Sequence, residues 1–344
     1  MRRRRSSSSS TKPQRVGNYF VEDKRESLEL NFFSSGSTIL DCVLGGGWPL
    51  GRMSNVVGDK STGKTLLAIE ATVNFLKKYS EGKIYYHEAE SAFDKEYARA
   101  LQMPVDEIEF TTDDMEDESN DGTIEFLYET LERIIPKHID RPGLVVVDSY
   151  DSLSTRKEQS RKIDKDSYGT EKAALSSQLF RRLNTKLARA NIHLMIISQV
   201  RDNIGVTFGK KHKRSGGKAL DFYATQVLWL SDLGKIRKTV DKIDREIGVN
   251  IKAKCDKNKI SLPYRQCELP ILFGYGVDDV SACLNWLKEV GGLDRLDISV
   301  KRIARVSEQV KRDKDVKMMR TISRVVRERW QEIETTFIPK YSKY

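Results

Sequence analysis

Cysteine is scarce in this chain: 344 residues contain four, Cys42, Cys255, Cys267 and Cys283. None forms a Cys-x-x-Cys pair, and no histidine lies near them at metal-ligand spacing. This argues against a structural zinc site or a disulfide framework, and reduced thiols are expected. Long apolar runs are missing too. No stretch reaches the length of a membrane span, and nothing after Met1 has the apolar core of a signal peptide, so a soluble, cytoplasmic protein is expected. No internal repeat stands out.

What is present suffices for a folded core. Hydrophobic residues make up 38% and aromatics 8%, which argues against wholesale disorder, and the length suits one large domain plus a smaller module. The formal charge of +10 and a pI near 9.2 suit a polyanionic partner such as nucleic acid, although a solvated basic surface has the same signature.

Three segments follow from the composition along the chain. Residues 1–27 are Arg-rich, then Ser-rich, and read as a disordered basic tail and linker. Residues 28–279 alternate strand and helix patterns. Met53 to Val57 is a short strand, and Lys64 to Tyr79 a helix. Ile84 to His87 is a strand, and Phe93 to Leu101 a helix. A stretch rich in acid (Asp113, Asp114, Glu116, Asp117, Glu118, Asp121, Glu125) reads as a solvated loop entering the helix Ile124 to Ile135. Leu144 to Asp148 is an all-apolar strand ending in an acid, as in a buried parallel sheet. A helix over Ala173 to Ala190 then leads to the strand His193 to Ser198. This alternation predicts an α/β fold with a twisted, mostly parallel sheet flanked by helices. Residues 280–344 have helical spacing only, and Lys301 to Arg329 holds eleven Lys/Arg against four Asp/Glu. A small, basic, mainly helical C-terminal module is expected there.

The sharpest motif is Gly58-Asp59-Lys60-Ser61-Thr62-Gly63-Lys64-Thr65, which fits G-x-x-x-x-G-K-[ST] in full. Its glycines let backbone N–H groups wrap phosphates, and the helix beginning at Lys64 points its positive end at them. Lys64 supplies charge to the outer phosphates, and the Thr65 hydroxyl can ligate Mg²⁺. Asp148, at the end of a buried strand, suits the same metal, although an acid there can also be an ordinary helix cap. ATP and Mg²⁺ are therefore the expected cofactors. Hydrolysis needs a group that activates water. His87-Glu88-Ala89-Glu90 offers two carboxylates, between which spacing alone does not choose.

Several further motifs, in order across Ser35 to Asp279, resemble the RecA family of strand-exchange recombinases. Ser35-Gly36-Ser37-Thr38-Ile39-Leu40-Asp41 with Gly45-Gly46-Gly47 and Pro49-Leu50-Gly51-Arg52 resembles that family's entry to the P-loop strand. Glu88 to Asp94 with Tyr97-Ala98-Arg99 resembles its catalytic segment. The resemblance selects Glu90 as the water-activating base and puts Asp94 and Tyr97 at the adenine. Glu88 departs from the aspartate common there. Ile197-Ser198-Gln199-Val200-Arg201 resembles the strand end whose glutamine, here Gln199, senses the γ-phosphate.

Val200 to Lys218 carries six Lys/Arg and one Asp between glycines. It is similar to the family's second DNA-binding loop, which implies DNA contacts from Arg201, Lys210, Lys211, Lys213, Arg214, Gly216 and Gly217. By its place after the Asp148 strand, a first DNA loop is expected near 156–172. Arg181 on the following helix matches a basic position that the family uses toward DNA, although as bare sequence it can be an ordinary solvent-facing arginine. Lys257-Asn258-Lys259 followed by Ile271 to Gly276 resembles the end of the family core, which implies that Lys257 and Lys259 reach the ATP of a neighbouring subunit.

The resemblance thus implies a DNA-dependent ATPase that assembles on single-stranded DNA and pairs it with homologous duplex. A RecA-like ring helicase, loader or clock-type ATPase is the second reading, and a nucleotide-gated binding module the third. Two features depart from the family. Its N-terminal docking helix is not evident, and the C-terminal module is basic where bacterial members commonly end in an acidic tail. The short, divergent form fits a phage-type or mobile-element member.

Overall fold

The computed structural model describes residues 30–112, 122–160, 169–202, 212–214 and 217–339. At 169–170, 201–202, 212–214 and 217–218 only the backbone is described. The Arg/Ser tail and acidic positions 113–121 lie outside the described residues.

The strands are β1 Phe32–Phe33, β2 Trp48–Pro49, β3 Met53–Gly58, β4 Lys83–Glu88, β5 Ile108–Phe110, β6 Gly143–Asp148, β7 Ile192–Asp202, β8 His212–Arg214, β9 Gln226–Val240, β10 Ile243–Asn258, β11 Arg265–Leu272 and β12 Gly276–Val277. The helices are α1 Thr38–Leu44, α2 Lys64–Lys78, α3 Lys95–Ala100, α4 Ile124–Ile134, α5 Arg156–Gln159, α6 Gly169–Leu187, α7 Gly217–Tyr223, α8 Asp279–Glu289, α9 Ile303–Arg312 and α10 Val316–Thr336.

The main sheet runs β12-β11-β10-β9-β3-β7-β6-β4-β5, with β8 paired to β7. The pairs from β9 through β3, β7, β6, β4 and β5 are parallel, and those from β9 out to β12 are antiparallel. Side chains on the central strands alternate between two cores. Leu144 and Val146 of β6 join one with α2, while Val145 and Val147 join the other with α4 and α6. Burial on both faces explains why β6 reads as an unbroken apolar run up to Asp148. The carboxyl ends of the parallel strands then share one edge of the sheet: Glu88 lies beside Asp148, and Gly58 beside Gln199. That edge is where open α/β sheets place their ligands.

The long hairpin of β9 and β10 has no counterpart in the sequence reading. Asp241 and Lys242 form its two-residue turn, both at positive φ (50° and 67°), the conformation that matches strand twist. Its outer half is exposed on both strands and carries charges of both signs, so no apolar alternation marks it.

The helices after residue 278 do not stand apart from the sheet. Cys283, Leu284, Leu287, Ile322, Val325 and Val326 belong to the same apolar cluster as α1 and β11. The Asp279 carboxylate accepts from Thr38 N at 2.7 Å, Thr38 Oγ1 at 2.9 Å and Ser37 Oγ at 2.9 Å, so α8 caps α1. Arg265 on β11 donates from Nε and Nη2 to Glu334 of α10 at 3.0 and 2.6 Å.

Candidate active site

The loop after β3 is shaped by its glycines. Gly63 has φ 81°, and a Cβ there would lie 2.6 Å from Ile271 Cδ1 of β11. Any side chain at 63 meets left-handed strain, and the end of the Ile271 side chain must shift to make room for it. As the residue before α2, Gly63 gives that helix no side-chain cap, which leaves first-turn amides to meet an anion. Within the loop, Thr62 Oγ1 donates to the Asp59 carbonyl at 2.8 Å, and the Lys64 ammonium donates to the same carbonyl at 2.6 Å. Gly58 is buried, whereas Asp59, Lys60 and Ser61 are exposed. Burial pulls the Lys64 ammonium pKa down, opposed by the charges of Asp148, Glu90, Asp59 and Asp151.

Asp148 is reached by two hydroxyls at one oxygen. Thr65 Oγ1 donates to Oδ2 at 2.8 Å, and Tyr86 OH donates to it at 2.9 Å. Burial pushes Asp148 up to about 6 against these two hydrogen bonds, and the charges of Glu90 and Glu88 add to the rise. A buried carboxylate beside a threonine hydroxyl fits a hard cation that completes its shell with phosphates and water. Among the described residues no group of three or more His, Cys, Asp or Glu could hold a metal without a ligand's help.

Glu88, which ends β4, and Glu90, two residues on, make different contacts. Glu88 Oε1 accepts from the backbone N–H of Glu90 at 2.9 Å and of Ala92 at 3.3 Å, bracing its own loop. Glu90 Oε1 accepts from Gln199 Nε2 at 2.6 Å and from the Ser149 hydroxyl. Glu90 therefore bridges the ends of β6 and β7. Ser149, Tyr86 and Asp151 were not singled out in the sequence. Ser149 and Asp151 lie within three residues of Asp148, so the signal available was proximity to that strand end.

The remaining candidates spread around this centre. Asp94 caps α3, accepting from Tyr97 N at 2.9 Å, and the Tyr97 ring is 39% exposed. The ammonium of Lys257 donates to the Phe222 carbonyl at 2.8 Å and that of Lys259 to the same oxygen at 3.3 Å, at the C-terminal end of α7, where helix carbonyls favour cations. Arg181 is exposed on α6. Backbone pairing of Val200 with Arg214 and Arg201 with Lys213 draws together the two ends of the glycine-bounded basic loop, and Gly217 opens α7. Lys210, Lys211 and Gly216 lie outside the described residues.

A model of the RecA N-terminal domain family matches residues 16–278. The chain is 32% identical over 269 residues to Protein RecA of Thermosynechococcus vestitus, covering 78% of this chain and 71% of that protein. It is 35% identical over 256 residues to the DNA repair protein recA homolog 1, chloroplastic, of Arabidopsis thaliana, covering 74% of this chain and 54% of that one. To Protein RecA of Streptococcus thermophilus it is 32% identical over 271 residues, 78% and 68% of the two chains. The match thus spans from about half to seven-tenths of these relatives. The chain belongs to the RecA family.

Proposed function

We propose that this protein is an ATP-dependent DNA recombinase: it binds single-stranded DNA, assembles along it with other copies, hydrolyses ATP in response, and promotes pairing with homologous duplex. The observation that carries this reading is Glu90, held between Ser149 and Gln199 at the edge of the sheet. Gln199 stands on the strand that runs directly into the basic loop. A change at the γ-phosphate can therefore be felt where DNA would bind.

The residues divide the work as follows. The amides of 58–65 and the Lys64 ammonium bind the phosphates. Thr65 and Asp148 would hold a magnesium ion, which when bound neutralises charge on the β- and γ-phosphate oxygens. Glu90 orients the attacking water and accepts its proton. Gln199 hydrogen-bonds the γ-phosphate and reports its loss. Asp94 and Tyr97 flank the adenine. Lys257 and Lys259 reach the nucleotide of an adjacent copy, as point charges on the transferring phosphoryl group. Arg181 and the basic residues of 201–217 contact the DNA backbone. In this reading residues 28–279 are the ATPase core and 280–344 a basic C-terminal module, whose described helices pack against it.

The test is the ATPase rate with and without single-stranded DNA, with electron microscopy of the same samples. Stimulation by DNA together with helical filaments is the expected result. A rate indifferent to DNA, or closed rings, overturns it in favour of a RecA-like motor or loader.

A further inference from the structure

On one side Gln199 is in register with Gly58 of β3, but on the other its backbone lies beyond the reach of β6. Pairing between β6 and β7 ends at Val147 with Ile196, three residues short of Gln199. A backbone N–H at such a place needs another acceptor. It finds the side chain of Asp151: Gln199 N donates to Asp151 Oδ2 at 2.7 Å. Asp151 sits in the single 3₁₀ turn Tyr150–Ser152 that follows β6, and it is only 6% exposed. The turn is pinned from its other side by α6. Lys172 donates to the Asp151 carbonyl at 3.0 Å and to the Leu153 carbonyl, and Ser176 Oγ lies 2.7 Å from Tyr150 OH.

Gln199 is thus held at two points. Its side-chain amide reaches Glu90, and its main chain is tied to a buried carboxylate anchored on α6. We propose that Asp151 is a positioning residue for ATP hydrolysis: it fixes the backbone of Gln199 so that the glutamine side chain meets Glu90 and the γ-phosphate in register. The Gln199 backbone N–H is held by Asp151 at the end of β7 where Glu90 also binds, so the influence of Asp151 falls on turnover more than on nucleotide capture. The inference rests on the roles of Gln199 and Glu90 proposed above.

The experiment is steady-state ATPase kinetics on the full chain, with and without single-stranded DNA, for Asp151→Ala, Asp151→Asn, Gln199→Ala and the Asp151→Ala/Gln199→Ala double variant. Misplacing a catalytic group by about an ångström costs up to a hundredfold. Asp151→Ala is therefore expected to lower kcat by between about tenfold and a hundredfold, with KM for ATP within about twofold of wild type. Asparagine keeps an acceptor oxygen and should restore most of the rate. With Gln199 already truncated, removing Asp151 should change kcat by less than about twofold, because the two act through one path. A merely structural role gives independent, multiplying losses and no rescue by asparagine. That pattern, or wild-type kinetics in Asp151→Ala, overturns the proposal. If Asp151→Ala does not fold, Lys172→Met takes its place in the same cycle with the same expectations. A wild-type rate indifferent to DNA counts against the recombinase reading and leaves the Asp151 cycle to be read on the basal rate.

Discussion

Thr65 on α2 and Tyr86 on β4 donate to the same oxygen of Asp148, from 2.8 and 2.9 Å. The phosphate-facing helix is thereby tied to the buried acid, and the acid to the sheet interior. Tyr86→Phe removes one donor from a buried carboxylate without altering the loop. The expected result is a loss of about 1.5–3 kcal/mol in stability, since hydrogen bonds to charged groups lie in that range. A higher Mg²⁺ requirement for ATPase activity should accompany it. Chemical denaturation and a magnesium titration check the two parts.

Lys64 and Glu90 should fail differently. Lys64→Ala removes the charge on the outer phosphates, so ATP binding is expected to disappear in a fluorescent-nucleotide titration. Glu90→Gln keeps the shape of the site but loses the base. Nucleotide affinity should stay within a few-fold while turnover falls by about 10²–10⁴. Normal turnover in that variant would sink the base assignment.

Gly63→Ala tests the loop's backbone. The new methyl would sit against Ile271 Cδ1 at a φ of 81°. Left-handed strain costs on the order of 1–2 kcal/mol, with a smaller cost for moving the end of the Ile271 side chain. Nucleotide binding should drop further than global stability, because the strain falls where the amides must face phosphate. Comparing the melting temperature with and without ATP separates the two.

Two buried histidines set a pH window. Burial lowers His87 to about 4, and lowers His193 to about 4 against its hydrogen bond to the Pro49 carbonyl. Their Nε2 atoms are buried without a partner among the described residues. Both groups titrate near 6.5 in an unfolded chain, so the folded state binds fewer protons between those values. Stability is expected to hold above about pH 6.5 and to fall toward pH 4, by on the order of 3 kcal/mol per histidine. Asp41 and Asp148, each pushed up to about 6 by burial, work in the opposite direction and offset part of this loss, because their ionisation costs the folded state stability as pH rises from about 4 to 6. Urea denaturation across this range, in wild type and in His193→Gln, should show a shallower acid loss in the variant.

The nucleotide loop and the parallel sheet were legible in the sequence because both are written locally. Glycines stand where the backbone must bend, and a strand buried on both faces, as Leu144 to Val147 is, carries no polar alternation to confuse it. Choosing Glu90 over Glu88 needed more than spacing, since which carboxylate turns toward Ser149 is set by how the strand-end loop folds over. The β9–β10 hairpin was not legible, because cross-strand pairs such as Arg237 with Glu246 replace the apolar alternation that announces a strand. Asp151 was not legible either. Its importance comes from β6 ending before β7, a relation between two strands that no single window contains.

The contacts that complete α1 have a consequence for how the chain is made. Ser37 and Thr38 meet Asp279 across 242 and 241 positions, and Thr38 meets Ser323 across 285. Contacts this distant in the chain are late and slow to form. Ile39, Leu40 and Val43 of α1 are buried, and the helix lies against β10, β11, α8 and α10, so during synthesis it lacks these partners until the chain beyond residue 243 has emerged. That interval is when a nascent chain is most open to aggregation, and when an early-binding chaperone would have the most to shield.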